Sequence, residues 1–212
     1  MEIVYSATMM ATTHVLAAVA FATLSAFVAP EFAPVAVVAA GVGGLFPDLD
    51  IYADHRRTLH FPVYYSGSAL LAGGLAVALP TTATVAAAWF LVGAALHAGM
   101  DALGGGLELR PWEATSNRAV YSHYHGRWLE PKRWVRYDGA PEDLAVAGLF
   151  AAPPLLTFDG QVPLVVGALL AVSAGYVALR KPLATLWAKL AALLVPRLPD
   201  PLRTRVPERF VE

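Results

Sequence analysis

Six apolar stretches, at residues 9–29, 33–47, 63–80, 83–103, 143–158 and 162–179, occupy most of the 212-residue chain and limit what it can fold into. A membrane-spanning helix needs about 20 apolar residues, with roughly 17–25 as the working range. The first and fourth stretches fit that length well, the third and sixth adequately. The second and fifth are short and interrupted: one ends in Gly43-Gly44-Leu45-Phe46-Pro47, and the other holds Pro153-Pro154. Interrupted backbone at membrane depth is tolerated where it faces protein or a wet cavity. Charge is correspondingly scarce. Only 15% of residues carry it, against about 25% in an average soluble domain, too few to clothe a water-facing surface. The expected fold class is all-α, a polytopic membrane helical bundle of about six spans. The composition excludes a disordered chain. The absence of cysteine excludes a disulfide scaffold, thiolate zinc and a cysteine nucleophile.

Orientation follows from the basic residues. Six spans put the N-terminus, loops 48–62 and 104–142 and the segment 180–212 on one side. Those segments hold all 15 Lys and Arg, whereas the opposite turns near 30–32, 81–82 and 159–161 hold only Glu31 and Asp159. That is the positive-inside pattern, so both termini are expected in the cytoplasm and the protein in the cell membrane. The first stretch lacks a preceding Lys or Arg and contains His14, so it reads as a retained helix rather than a cleaved signal. One membrane-embedded domain is expected over 1–182, with 183–212 forming an interfacial helix, carrying Trp187 and Lys189, and a cytoplasmic tail. Loop 104–142 opens on Gly104-Gly105-Gly106. It mixes Trp112, Tyr121, Tyr124, Trp128 and Trp134 with arginines, a combination suited to the headgroup layer. Membrane lipid is the expected partner. The net charge of −1 gives no general pull towards nucleic acid, and none is expected.

Ionisable residues in or at the edge of membrane helices are costly and so mark candidate sites. Six stand out: His14, Asp48, Asp50, His60, His97 and Asp101. His97 and Asp101 are four apart and share a helix face. Asp48 and Asp50 follow Pro47, which favours an extended exit in which the two carboxylates project on one side. Each alone has an ordinary structural reading, as a packed histidine, a turn cap or a buried hydrogen bond. All six, however, fall at the segment ends assigned to the cytoplasm. Imidazole and carboxylate are ligands of Zn²⁺, Mn²⁺ and Fe²⁺, so one or two divalent ions are the expected cofactor. His55 is the expected general acid/base or alternate ligand, as the remaining histidine near the cluster. Arg56 and Arg57, between His55 and His60, suit a phosphate-bearing or lipid-like substrate. His123 and His125 read as loop residues.

Thr13-His14, Gly44-Leu45-Phe46-Pro47-Asp48-Leu49-Asp50, His55-Arg56 with Thr58 and His60, and His97-x-x-x-Asp101 together resemble the YdjM-like membrane-bound metal-dependent hydrolases. The matching motifs cover about the first half of the chain. The resemblance implies a small multi-span helical protein with a His/Asp metal site at the membrane surface, and hydrolase activity. It places the motif positions on His14, Asp48, Asp50, His55, His60, His97 and Asp101. The family's His-Arg-Gly-x-Thr-His-Ser reads His-Arg-Arg-Thr-Leu-His-Phe here, which changes the backbone around His60. The competing expectations are a divalent-cation-binding or transport protein and a non-catalytic membrane scaffold.

Overall fold

Prolines, glycines and hydroxyl side chains cut the apolar stretches into helices in the computed structural model, which describes residues 9–108 and 110–203. The first stretch holds α1 (Ala11–Ala22) and a single turn, α2 (Ser25–Val28). At the step between them Thr23 Oγ1 donates to Val19 O and Ser25 Oγ to Ala22 O. Such bonds back to the preceding turn bend a helix. A 3₁₀ turn, Pro30–Phe32, leads into α3 (Ala33–Leu45), followed by a longer 3₁₀ segment, Phe46–Tyr52. Then come α4 (Pro62–Ala78) and α5 (Thr82–Asp101), whose start is fixed by a reciprocal Thr81/Thr84 capping box. The connection to α6 (Pro141–Thr157) contains a small antiparallel hairpin, β1 (Tyr121–Ser122) and β2 (Arg127–Trp128), with Tyr121 opposite Trp128. Helix α7 (Gln161–Leu194) and the single turn α8 (Asp200–Arg203) follow.

The chain is thus mainly helical. Four helical stretches, Ala11–Val28, Pro30–Ile51, Thr82–Asp101 and Gln161–Arg197, are long and apolar enough to cross a membrane. At 17 residues each, α4 and α6 stand at the lower edge of the spanning range of about 17–25. Their outward faces are apolar too: Leu70, Leu71 and Leu156 are each about four-fifths or more exposed, a surface suited to lipid rather than water.

Two local expectations are corrected. The segment after Pro47 is 3₁₀ rather than extended, because the φ that proline imposes also suits a 3₁₀ turn. With three residues per turn, Asp48 and Asp50 diverge instead of pointing together. The expected interfacial helix around 183–195 is instead the continuation of α7, which runs through Pro182 without a break. Proline removes one hydrogen bond there, and the Ala/Leu-rich sequence on either side keeps the helix going. The tail expected over 204–212, like residues 1–8, lies outside the described residues.

The core is built on small residues. Leu16, Ala18 and Ala22 of α1, Ala36 and Ala40 of α3, and Ala147 and Ala151 of α6 are buried together. Helix α3 lies between α1 and α5, and it approaches α5 at its closest through Gly43 and Gly93. A β-carbon on Gly43 would collide with Phe90 O. One on Gly93 would collide with Ala40 O and stand 2.7 Å from Gly44 N. Backbone therefore meets backbone at that crossing, which brings the end of α3 against the last two turns of α5.

Candidate metal centre

The crossing gathers residues that are far apart in sequence. His14 comes from α1, Asp48 and Asp50 from the 3₁₀ segment, His55, Arg56 and His60 from the connection to α4, and His97 and Asp101 from α5. All are buried except Asp48, which is partly exposed. His60 Nε2 lies 3.3 Å from His97 Nε2 and 3.0 Å from Asp101 Oδ2. His97 Nε2 is 3.3 Å from Asp48 Oδ1 and 3.7 Å from Asp101 Oδ2. His14 Nε2 is 3.3 Å from Asp101 Oδ1, and its ring stacks on that of His97 with centroids 3.9 Å apart. Two groups of ligand atoms result, His14/His97/Asp101 and Asp48/His60/His97, each within 4.8 Å.

Tautomers follow from the partners. His97 Nδ1 is 2.6 Å from Gly44 O, and a carbonyl only accepts, so Nδ1 carries the hydrogen and the Nε2 lone pair faces the cluster. His60 Nδ1 is 3.0 Å from Asp50 Oδ2, which orients that ring in the same way. Asp50 itself accepts from His55 Nδ1 (2.7 Å), His60 Nδ1 (3.0 Å), Leu59 N (3.0 Å) and Arg56 N (3.4 Å). A carboxylate has about four lone-pair sites. Asp50 thus stands behind the cluster as the group that orients His60, rather than facing into it. Burial alone would lower the His60 imidazole, but the Asp101 and Asp50 carboxylates overcome it and push its pKa up to about 9.

No family model, characterised protein or solved structure matches the chain.

Of the residues singled out by sequence, the fold brings His14, His97 and Asp101 into one group and Asp48, His60 and His97 into another, with Asp50 and His55 behind them. Arg56 is fully enclosed beside them. Arg57 is not: its half-exposed side chain lies over the Tyr121 ring at 4.8 Å and 3.7 Å from Asp54. Among the described residues, His14 Nδ1 and Arg56 Nη2 are buried polar atoms with no protein partner, a rare condition in a folded chain and one that suits a group taken from outside it. His123, expected to be a plain loop residue, docks the loop. Its Nε2 donates to Arg57 O at 2.6 Å, and its ring lies 4.6 Å from Phe61.

Sequence reasoning missed the supports. Asp143 accepts from Met10 N (2.8 Å), Thr13 Oγ1 (2.7 Å) and Gly139 N (3.0 Å), which pins the start of α1 one residue from His14. A carboxylate in the first turn of an apolar helix was the available signal. Asp138 receives a two-point contact from Arg180, at 2.8 and 3.2 Å, and the Tyr176 hydroxyl, tying the connection to α7. The Gly44 carbonyl carries no side-chain signal at all.

Asp50→Asn tests the supporting role. An amide oxygen can serve one ring, but the amide nitrogen faces a donor at the other. Loss of an orienting partner of this kind weakens metal affinity by about 10–100-fold. The expected result is that weakening by competitive chelator titration, with the helical circular dichroism retained.

Proposed function

We propose that the chain is a multi-pass membrane hydrolase that uses one divalent ion, held at the cytoplasmic surface by ligands drawn from His14, Asp48, His60, His97 and Asp101. The observation that carries this is the pair of imidazole nitrogens 3.3 Å apart, each with its ring oriented from behind. Two neutral imidazoles so placed repel through their lone pairs unless a proton or a cation sits between them. Ligand atoms around one tetrahedral ion with bonds of about 2.0–2.1 Å are about 3.3 Å apart. His97 Nε2 belongs to both ligand groups yet has a single lone pair, which favours one shared ion over two.

Zn²⁺, Mn²⁺ and Fe²⁺ all suit a His/Asp set. Such an ion supplies Lewis acidity and a nucleophile at neutral pH. The chain's own contribution is to hold and orient: Asp50 and Gly44 O fix the two rings, and Asp143 fixes the helix that bears His14. His55 shares Asp50 with His60 and stands outside both ligand groups, so it is left to move a proton as general acid or base. The basic residues of the connecting segments support a cytoplasmic position for this end of the bundle. The expected substrate is phosphate-bearing or lipid-like and is met at that surface. The motif resemblance to the YdjM-like hydrolases agrees with this reading.

The test is metal analysis of detergent-purified protein with a phosphoester, phospholipid and amide hydrolysis panel. The expected result is about one divalent ion per chain, with turnover lost to chelator and restored by metal. Uptake must displace the His60 proton at any pH below about 9, so affinity climbs with pH through that range. Protein that binds no metal, or whose metal content is unchanged by Asp101→Ala, overturns the reading. Metal flux into proteoliposomes without hydrolysis favours a transporter.

A further inference from the structure

Arg56 is held in a way that a surface arginine is not. Its backbone φ is 60°, in the left-handed region that residues with a β-carbon rarely adopt. Three contacts impose it. The Arg56 N–H donates to Asp50 Oδ1 at 3.4 Å, its carbonyl accepts from Tyr121 N at 2.9 Å, and Nη1 donates to Ala119 O at 3.3 Å. Two of the three partners belong to the hairpin region of loop 104–142, so the loop that looked like a headgroup belt by composition is a wall of the site. The side chain is completely buried, and Nη2 has no acceptor among the described residues. A guanidinium keeps its proton in proteins, and a buried charged donor without an acceptor is costly. The carboxylates that act on it most strongly are Asp101 and Asp48, both members of the candidate centre, so the cation stands beside that centre. Strain of this kind persists where the surroundings over-determine it, and it gathers at ligand sites.

We propose that Arg56 Nη2 and the ion of the centre bind the same phosphoryl group and that the substrate is a phosphate monoester. This deepens the hydrolase reading and rests on it. A cation on one side and a guanidinium on the other is the arrangement that meets charge spread over the oxygens of a phosphoryl group in transfer. In the reaction, water adds to phosphorus as the ester P–O bond breaks. The proton lost by the water passes to the departing alkoxide, and inorganic phosphate and an alcohol are released. No oxidant or reductant is needed. Arg56 donates to a non-bridging oxygen and carries no proton away. Arg57, turned to the surface, has no part in this contact.

The test is inorganic phosphate binding to the Mn²⁺-loaded full chain in detergent, read by calorimetry and by ³¹P line broadening, with metal content measured on every sample. A charge-assisted hydrogen bond of this kind corresponds to about a tenfold to hundredfold change in affinity. Arg56→Gln is expected to lose that much phosphate affinity while keeping its metal. Arg110→Gln, at an exposed pair with Glu113, is expected to stay within about twofold of wild type. If Arg56→Gln does not assemble, Arg56→Lys carries the test, since it keeps the charge but loses the planar fork; an intermediate loss supports the proposal. Phosphatidate in nanodiscs that displaces bound phosphate supports a lipid headgroup as the source. Displacement only by soluble phosphate esters supports a soluble one. Full metal content with phosphate affinity unchanged in both Arg56 variants overturns the proposal. Wild-type protein that takes up no metal overturns the hydrolase reading and this inference with it.

Discussion

His97→Ala is expected to empty the centre. His97 is the one residue common to both ligand groups, and its Nε2 lies within 3.7 Å of a nitrogen or oxygen from each of His60, Asp48 and Asp101. Losing a residue that merely orients a ligand costs about 10–100-fold in metal affinity, and losing the shared ligand exceeds that range. Metal per chain should fall below detection after dialysis, and any metal-dependent turnover should fall with it. The substitution also removes the hydrogen bond to Gly44 O and leaves a cavity beside the stacked His14 ring. Some loss of stability is therefore expected as well, about 1–3 kcal/mol. His97→Gln separates the two effects. Its amide can still donate to Gly44 O and fill most of the space, so the helical spectrum and melting temperature should recover while the metal does not. A His97→Ala protein with full metal content would show that the ion sits elsewhere.

Gly93→Ala is expected to damage the fold severely. The added carbon meets backbone on α3, Ala40 O and Gly44 N, and backbone cannot rotate aside as a side chain can. Overpacking typically costs about 1–3 kcal/mol. With no rotamer to relieve it, this site belongs at or above the top of that range. Separation of α3 from α5 would also draw Gly44 O away from His97 Nδ1, so metal should be lost with stability. Gly99→Ala, on the same helix but with open space around its β-position, supplies the contrast. That change should be neutral or stabilising by about 0.5–1 kcal/mol. Detergent-solubilised melting curves for the two variants decide the point. Equal behaviour would remove the argument that the crossing depends on Gly93.

What the sequence made legible was the part governed by local rules. Apolar length located the helices, and four-residue spacing put His97 and Asp101 on one face of α5, where they are found. The restricted positions of His14, Asp48 and His60 suggested one cluster, and the fold brings them into two groups that share His97. What it hid depended on exact backbone path. Asp48 and Asp50 are chemically the same and two residues apart, yet a 3₁₀ turn sends one towards His97 and the other to four donors behind the cluster. Arg56 and Arg57 are neighbours of equal charge, and a single left-handed φ encloses the first and exposes the second. The pairing of Tyr121 with Arg56 spans more than 60 residues, and neither carries a local signal for it.

The contact between Thr13 and Asp143 joins positions 130 residues apart, and it bears on how the protein is made. At about 5–20 residues per second, roughly 7–26 s of synthesis separate the two. Throughout that interval the helix carrying His14 is in the nascent chain without its anchor, and for most of it His97 and Asp101 have yet to be made. Completion of the centre therefore follows elongation rather than insertion of the first helix. An arrest of translation between Asp101 and Asp143 would hold the chain with every candidate ligand synthesised but His14 still unfastened.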